Sequence, residues 1–146
     1  MKHQNPQEMS ASDLVESLDG IVTMSRKERL TRWANALENH AGPLNALSRI
    51  EYLSPEVRRA YRGTNTPLTI AFNTVSLREE GLASDRLGDA MDFFDMTDAD
   101  AHRLLCDCHY IGSMTGTGLA RRIRRYAENN GGGLWNWARN MMVRGY

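Results

Sequence analysis

Apolar positions along this chain recur mainly with the period of an α-helix. After Ser25, they follow an i, i+3, i+4, i+7 spacing that places them on one helix face, at Leu30, Trp33, Ala34, Leu37 and Ala41. Ser25 and Glu28 form a capping-box pattern, in which the hydroxyl binds first-turn amides and the carboxylate reaches back. Since Gly42-Pro43 stops a helix, the pattern predicts a helix between Ser25 and Gly42.

The same signals predict four further helices before residue 96. They are a helix at 44–50 that pairs antiparallel with the first, a short one from Ser54 to Gly63, one from Pro67 to Glu80 and one from Ser84 to Phe94. The β-branched residues within Leu68–Phe72 also suit a strand. The cap at Thr66 and the helical spacing that follows favour the helix.

Helical patterns also cover the rest of the chain. Thr97 and Asp100 form a second capping box, which predicts a helix from Asp98 to about Tyr110. Thr117 is the predicted N-cap of the next helix, which runs to Glu128, and Leu134–Met141 forms the last one. A short helix is also expected at Asp13–Leu18.

These elements predict an all-α fold, a single compact domain of seven or eight short helices in an orthogonal or bundle-like array with no significant sheet. A chain of 146 residues is long enough to bury one core and needs no second domain. We expect residues 1–24 to be a polar N-terminal tail with a short helix, and residues 25–146 to be one helical domain.

The composition argues against a disordered protein and against a membrane protein. Apolar residues make up 41% and charged residues 25% of the chain, which argues against disorder along its whole length. Apolar runs are far shorter than the roughly 20 residues that span a bilayer, so no membrane association is expected. The first residues lack the charge and apolar pattern of a signal peptide. We therefore expect a cytoplasmic protein whose two cysteines are reduced.

Charge is segregated along the chain even though the net charge is zero. Residues 68–100 carry two basic and eight acidic side chains, whereas residues 119–146 carry six basic and one acidic. Segments of opposite charge can pair within one molecule or bind partners of opposite sign. The exposed arginines of 119–125 could thus bind nucleic-acid phosphates or pair with the acidic 85–100 segment.

One face of the predicted 98–110 helix carries residues with metal-ligand chemistry. His102, Cys106 and His109 are spaced i, i+4, i+7, which would bring an imidazole and a thiolate close enough to bind one metal ion or to activate the thiol. A fourth ligand would come from His40, His3 or an acid such as Asp107. The alternative is a partly buried polar face without chemistry. No cofactor is favoured; zinc or another transition metal is the alternative.

Cys108 falls on the apolar stripe of the same predicted helix. The stripe consists of Ala101, Leu104, Leu105 and Cys108. We therefore expect Cys108 to be a buried core thiol without reactivity.

A second candidate site surrounds the start of the helix that follows. Free backbone amides at Gly116, Thr117 and Gly118, with Arg121 and Arg122 one turn later, suit an anion. The alternative is a turn that needs glycine for its conformation. Further along, Arg125 adds to the basic face. Trp135 lies off the apolar stripe of the last helix, so it is either an interface anchor or packs under the 1–20 segment.

These patterns give three hypotheses for the function. The first is a non-enzymatic regulatory or adaptor protein that binds another macromolecule, or a second copy of itself, through the Arg-rich helix at 119–125 and the Trp/Met-containing C-terminal helix. The second is a small thiol- or metal-dependent enzyme or sensor that uses His102, Cys106 and His109. The third is a nucleic-acid-binding regulator. An enzyme is less favoured than a binding protein.

Overall fold

The structure, a computed structural model, describes Met24–Asn129. Within this range the chain forms seven α-helices, with bounds α1 Arg26–Glu38, α2 Pro55–Arg59, α3 Pro67–Asn73, α4 Val75–Glu80, α5 Leu87–Phe94, α6 Asp98–Leu105 and α7 Gly116–Asn129. This confirms the predicted all-α class. The helices expected at Asp13–Leu18 and Leu134–Met141, and with them Trp135, lie outside the described residues.

The two longest helices, α1 and α7, pack against each other over most of their length. Their buried faces meet through large apolar side chains, among them Leu30, Leu37, Leu119 and Ile123. Gly116 sets the approach of the two backbones, because a Cβ there would lie 1.9 Å from the carbonyl oxygen of Leu37. The partner of α1 is therefore α7, and the predicted pairing of α1 with a helix at 44–50 is wrong.

Trp33 of α1 occupies the centre of the core. Its ring is fully buried and stacks on Phe94 of α5, with 4.5 Å between the ring centroids. The indole Nε1–H donates to the carbonyl oxygen of Pro67 at 2.9 Å, so its polar atom is satisfied. This side chain joins α1, α3 and α5 around one core.

The segment 43–52 is not the helix that its apolar spacing predicts. Pro43–Leu44 (β1) pairs with Met114–Thr115 (β2) in a two-stranded antiparallel sheet, and a 3₁₀ helix follows at Ile50–Tyr52. Backbone groups that would form helical bonds pair with distant segments instead. Leu44, Leu47 and Ile50 are nevertheless buried. The apolar spacing therefore predicted the buried residues of this segment correctly and its backbone conformation wrongly.

The helix predicted from Pro67 to Glu80 is broken at Thr74. This residue has an extended backbone, with φ −83° and ψ 109°, and its hydroxyl donates to the carbonyl oxygen of Ile70 at 2.8 Å, a bond that competes with the helical ladder. Both predicted ends are confirmed, since Thr66 forms a capping box and Gly81 terminates α4 with φ 126°. The strand alternative for Leu68–Phe72 is excluded.

The acidic 85–100 segment pairs with arginines that follow Pro55 and not with those of 119–125. Three ion pairs form this contact: Arg58–Asp98 at 3.2 Å, Arg59–Asp92 at 2.6 Å and Arg62–Asp85 at 2.7 Å. The acidic 85–100 segment therefore does not neutralise the arginines of α7.

None of the helices within residues 24–129 has the length and apolar character that a membrane crossing requires.

Candidate metal centre

Helix α6, which carries the first of the candidate ligands, starts as predicted and ends early. Its N-terminus is a capping box in which the Thr97 hydroxyl accepts from the Asp100 N–H at 3.1 Å. Its last residue is Leu105, and Cys106 already has an extended backbone with φ −79° and ψ 141°. A 3₁₀ helix then covers Asp107–His109. The prediction of one continuous helix to Tyr110 is therefore wrong.

The early end of α6 results from a bridge to a distant segment. The Leu47 N–H donates to the carbonyl oxygen of Leu105 at 2.9 Å, and the Asp107 N–H donates to that of Leu47 at 3.0 Å. Both bonds hold Cys106 in a parallel bridge beside Leu47. The 3₁₀ helix that carries Glu51 begins three residues after Leu47, so this bridge brings the Glu51 carboxylate to the end of α6.

The change in backbone reverses the expected roles of the two cysteines. Cys106 is fully buried, whereas Cys108 is exposed. The prediction that Cys108 is a core thiol assumed helical spacing beyond Leu105, and it is wrong because the residues after that point no longer follow a helical period. Both thiols are free, and their sulfur atoms lie 3.6 Å apart.

Four donor atoms form a closed ring of short contacts at this junction. Glu51 Oε2 lies 3.2 Å from His102 Nε2, and His102 Nε2 lies 3.6 Å from Cys108 Sγ. Cys108 Sγ lies 3.6 Å from Cys106 Sγ, which in turn lies 3.6 Å from Glu51 Oε2. We call Glu51, His102, Cys106 and Cys108 the donor cluster.

The donor atoms of Glu51, His102 and Cys106 all lie within 4.8 Å of one another, and so do those of His102, Cys108 and His109. The contacts between neighbours in the ring can be compared with the spacing of ligands around a tetrahedral metal ion. With zinc–sulfur bonds of about 2.3 Å and zinc–nitrogen or zinc–oxygen bonds of about 2.0 Å, tetrahedral ligand atoms lie roughly 3.3 to 3.8 Å apart. The four contacts of the ring fall at or close to this range. Two thiolates, an imidazole and a carboxylate are also ligand types that zinc accepts.

His109 contacts the ring nitrogen of His102 that faces away from the other residues of the donor cluster. Its Nε2 lies 3.0 Å from His102 Nδ1, and the two rings meet edge to face with 4.8 Å between their centroids. A hydrogen bond to the ring nitrogen that does not face the ligand site is the usual way to fix the orientation of a metal-binding histidine. Burial lowers the pKa of His109, and the nearby charges of His102 and Arg122 lower it further, so the ring is neutral at pH 7.

The electrostatics of the donor cluster bear on the two chemistries predicted for it. Burial raises the pKa of the Cys106 thiol to about 11, so at pH 7 this group is a neutral thiol and a poor nucleophile. A hydrogen bond from its own backbone lowers the pKa of the Glu51 carboxyl, and hydrogen bonds with His102 and Cys106 lower it further. The cluster therefore combines an ionised carboxylate with a thiol that only a bound cation would ionise.

A cleft of about 420 Å³ gives solvent access to the donor cluster. Its lining includes Glu51, His102 and His109. The side chains of His102 and Glu51 are 30% and 38% exposed, whereas Cys106 lies behind them. An ion can therefore reach Glu51 and His102 through this cleft, and Cys108 is also exposed.

Two residues of the donor cluster were not predicted as ligands: Cys108, expected in the core, and Glu51, which the sequence did not indicate. The fourth ligand was expected from His40, His3 or an acid such as Asp107. Asp107 Oδ1 does lie 3.6 Å from Cys106 Sγ, but His40 follows α1 and does not join the donors, and His3 lies outside the described residues. No local pattern marks Glu51, since its place depends on the Leu47–Cys106 bridge.

The glycine turn before α7 has a packing role. Gly116 is buried against α1, and the Gly118 N–H donates to the Thr115 hydroxyl at 3.1 Å. The cap is thus Thr115, and Thr117, the predicted N-cap, lies inside the helix. Anion binding at this turn stays a prediction.

The arginines of α7 divide into two groups. Arg122 donates to the carbonyl oxygen of His109 at 2.9 Å and its guanidinium lies over the Tyr110 ring, while Arg124 pairs with Glu38 at 2.8 Å. Arg121 and Arg125 are exposed and have no ion pair or hydrogen-bond partner within residues 24–129. These two are the cations of the helix that remain for an external ligand.

The chain matches no family model, and it has no significant match among curated proteins or solved structures.

Proposed function

We propose that this protein is a non-enzymatic regulatory protein that binds one transition-metal ion, zinc by preference, through the donor cluster. The observation that supports the proposal is the closed ring of donor contacts among Glu51, His102, Cys106 and Cys108. Sites in which the protein supplies all four ligands are typical of structural and sensing zinc, whereas catalytic zinc keeps one position open.

The ion would link two parts of the chain that the Leu47–Cys106 bridge brings together. Its ligands come from the 3₁₀ helix at Ile50–Tyr52 and from the segment that ends α6. Metal binding would neutralise the grouped donors and fix this junction, and metal loss would release it. A regulatory role follows if a partner distinguishes the two states. In the reducing cytoplasm, where we place the protein, both thiols remain available.

A cobalt titration of the reduced, metal-free full-length chain tests the proposal. Tetrahedral Co²⁺ with two thiolate ligands gives intense visible bands and a sulfur-to-cobalt charge-transfer band, and zinc should displace it at a stoichiometry of one ion per chain. We expect Cys108→Ser to weaken binding more than about 100-fold, because even partners behind the ligands contribute about 10- to 100-fold. Since Cys108 is exposed, this variant should fold normally.

A matched histidine pair supplies the control. His102→Gln should weaken cobalt binding as strongly as Cys108→Ser, whereas His40→Gln should leave it unchanged, because His40 lies outside the donor cluster. Cobalt binding of equal strength in His102→Gln, Cys108→Ser and the wild-type chain would overturn the proposal. So would a cobalt spectrum without thiolate charge transfer.

The adaptor function predicted from the sequence is a second candidate. It is favoured by the exposure of Arg121 and Arg125, neither of which has an ion-pair partner among residues 24–129. A protein partner or a second copy of the chain would bind this face of α7 together with the segment that carries Trp135.

Sedimentation and DNA binding test the second candidate. If the chain self-associates through these surfaces, Trp135→Ala and Arg121→Ala should each shift an oligomer toward monomer. Salt-dependent binding to duplex DNA, reduced in Arg121→Ala, would instead favour the nucleic-acid alternative. If neither variant changes either measurement, the Arg-rich helix is not an interface.

A further inference from the structure

A second cleft lies between α6 and α7, and Arg103 of α6 lines both this cleft and the one beside Glu51. It has a volume of about 320 Å³ and is lined by Arg103, Leu104, Arg122, Arg125, Tyr126 and Asn129. This is near the lower end of the volumes that small-molecule sites have, about 300 to 1,000 Å³. A small ligand would therefore fill it.

Three guanidinium groups line this cleft, and the described residues compensate only part of their charge. Arg103 lies 3.6 Å from the carboxylate of Asp100, which also accepts from the Tyr126 hydroxyl at 2.9 Å. Arg122 donates to a neutral carbonyl oxygen. Arg125 has no ion pair within residues 24–129. Three arginines and one aspartate leave two positive charges.

We propose that this cleft binds the phosphoryl group of a small phosphate monoester. A monoester carries a charge close to −2 at pH 7, which matches the charge that the arginines leave uncompensated. The planar guanidinium forms paired hydrogen bonds with phosphate oxygens. Two helices supply these arginines, so they approach a bound group from different directions. Leu104 and Tyr126 offer an apolar wall to the organic part of the ester.

The cleft shares Arg122 and Arg125 with the basic residues that the sequence indicated, but not the glycine turn itself. It does not include Gly116, Thr117 or Gly118, and it uses Arg103, which no sequence pattern singled out. Its lining also differs from that of the donor cluster, whose soft sulfur donors suit a cation.

Calorimetry on the full-length chain tests the proposal with three probes: inorganic phosphate, ribose 5-phosphate and ribose. The two phosphates should bind and ribose should not. Equal affinities for the two phosphates would identify a site for the free anion, and tighter binding of ribose 5-phosphate would identify a site for a phosphorylated small molecule. Binding of ribose as tight as that of ribose 5-phosphate would overturn the proposal.

Two arginines of α7 provide matched variants. Arg125→Gln should weaken ribose 5-phosphate binding about tenfold or more, the effect of one charged hydrogen bond. Arg121→Gln removes the same charge from the same helix but lies outside the cleft, so it should change the affinity less than about twofold. Neither side chain has a partner within residues 24–129, so circular dichroism should show both variants folded.

Two results of these binding measurements would overturn the proposed phosphate site. Equal losses in Arg121→Gln and Arg125→Gln would mean that phosphate responds only to the general charge of α7. Undetectable binding of both phosphates to the wild-type chain would show that the cleft does not serve this ligand class.

Discussion

The α1–α7 interface and the donor cluster are stabilised in opposite ways. At the interface, Leu30, Leu37, Leu119 and Ile123 are fully buried, and burial contributes roughly 25 cal/mol for each Å² of apolar surface. The donor cluster consists of polar groups held close together at a junction of irregular segments. The interface consists of packed apolar side chains, whereas the donor cluster has hydrogen bonds among its polar groups and, under the proposed function, would gain further stabilisation from a bound cation.

This difference implies that the two regions respond to different changes. A lost apolar side chain leaves a cavity that the interface cannot fill. Loss of an exposed donor such as Cys108 is expected to cost little in the absence of metal. Unfolding measured with and without metal therefore separates the two contributions, and we expect the following changes, from the largest to the smallest.

Trp33→Ala should produce the largest loss, about 3 to 5 kcal/mol of unfolding free energy. The substitution leaves a cavity, removes the stack on Phe94 and takes the hydrogen-bond donor from the Pro67 carbonyl. Urea denaturation followed by circular dichroism measures it. Tyr52→Ala is the control, because Tyr52 is 76% exposed and should change the free energy by less than about 0.5 kcal/mol. Similar losses in both variants would contradict the central role of Trp33.

Gly116→Ala should destabilise the fold by about 3 kcal/mol, at the upper end of the cost of overpacking. Its Cβ would lie 1.9 Å from the Leu37 carbonyl oxygen, so α1 and α7 must separate. Gly118→Ala is the matched control, since its Cβ would lie 3.0 Å from the Thr115 hydroxyl and alanine favours the helix. We expect it to remain within about 1 kcal/mol of wild type in the same denaturation. Equal effects would show that the close approach at Gly116 does not limit the packing.

Zinc should stabilise the wild-type chain by about 2.7 kcal/mol when the free ion is at 100 times its Kd. Cys108→Ser should abolish this gain, while its stability without metal stays within about 0.5 kcal/mol of wild type, because Cys108 is exposed. Denaturation at buffered free zinc measures both. A zinc effect that persists in Cys108→Ser would place the ion elsewhere.

His109→Ala should weaken zinc binding about 10- to 100-fold, the usual effect of removing a partner that orients a metal-binding histidine. The hydrogen bond between His109 Nε2 and His102 Nδ1 is the interaction that the variant loses. Competition with a colorimetric chelator gives the affinity, and His40→Ala serves as the control. An unchanged affinity would mean that His102 is oriented by its packing alone.

Zinc affinity should rise by at least about tenfold per pH unit between pH 6 and pH 8. Cys106 must lose its proton to bind the ion, and its pKa of about 11 in the metal-free fold lies above this whole range. Each unit of rising pH therefore lowers the cost of removing that proton by about 1.4 kcal/mol. Chelator competition at several pH values measures the slope, and a flat profile would exclude Cys106 as a ligand.

Local signals in the sequence predicted most helix starts correctly. Ser25, Ser54, Thr66 and Thr97 each accept a hydrogen bond from a first-turn amide, as their patterns indicated. These caps involve residues two or three positions apart, so the necessary information is local. The reciprocal bond expected from Glu28 does not form, because that carboxylate pairs with Arg32 instead.

The errors that bear on the donor cluster arose where distant backbone segments pair, whereas the break at Thr74 has a local cause. The end of α6 at Leu105 depends on hydrogen bonds with Leu47, and the strand at 43–44 depends on Met114–Thr115. The spacing of apolar residues along the chain does not indicate which distant backbone segments will pair. Because of the Leu47–Cys106 bridge, Cys106 is buried and Cys108 is exposed, the opposite of what a continuous helix predicts. The same bridge places Glu51 beside them. His102, Cys106 and His109 were thus recognised by residue type, while the geometry that joins them required the tertiary structure.

The Leu47–Cys106 bridge also dictates when during synthesis the donor cluster can form. Glu51 and Cys106 are 55 positions apart, and Cys108 emerges from the ribosome later still. A nascent chain that has exposed α1 to α5 holds a single ligand, so it cannot capture an ion while those helices assemble. If the proposed site binds metal, its assembly would follow translation of the 102–108 segment, because before that point Glu51 is the one residue of the donor cluster that has been synthesised.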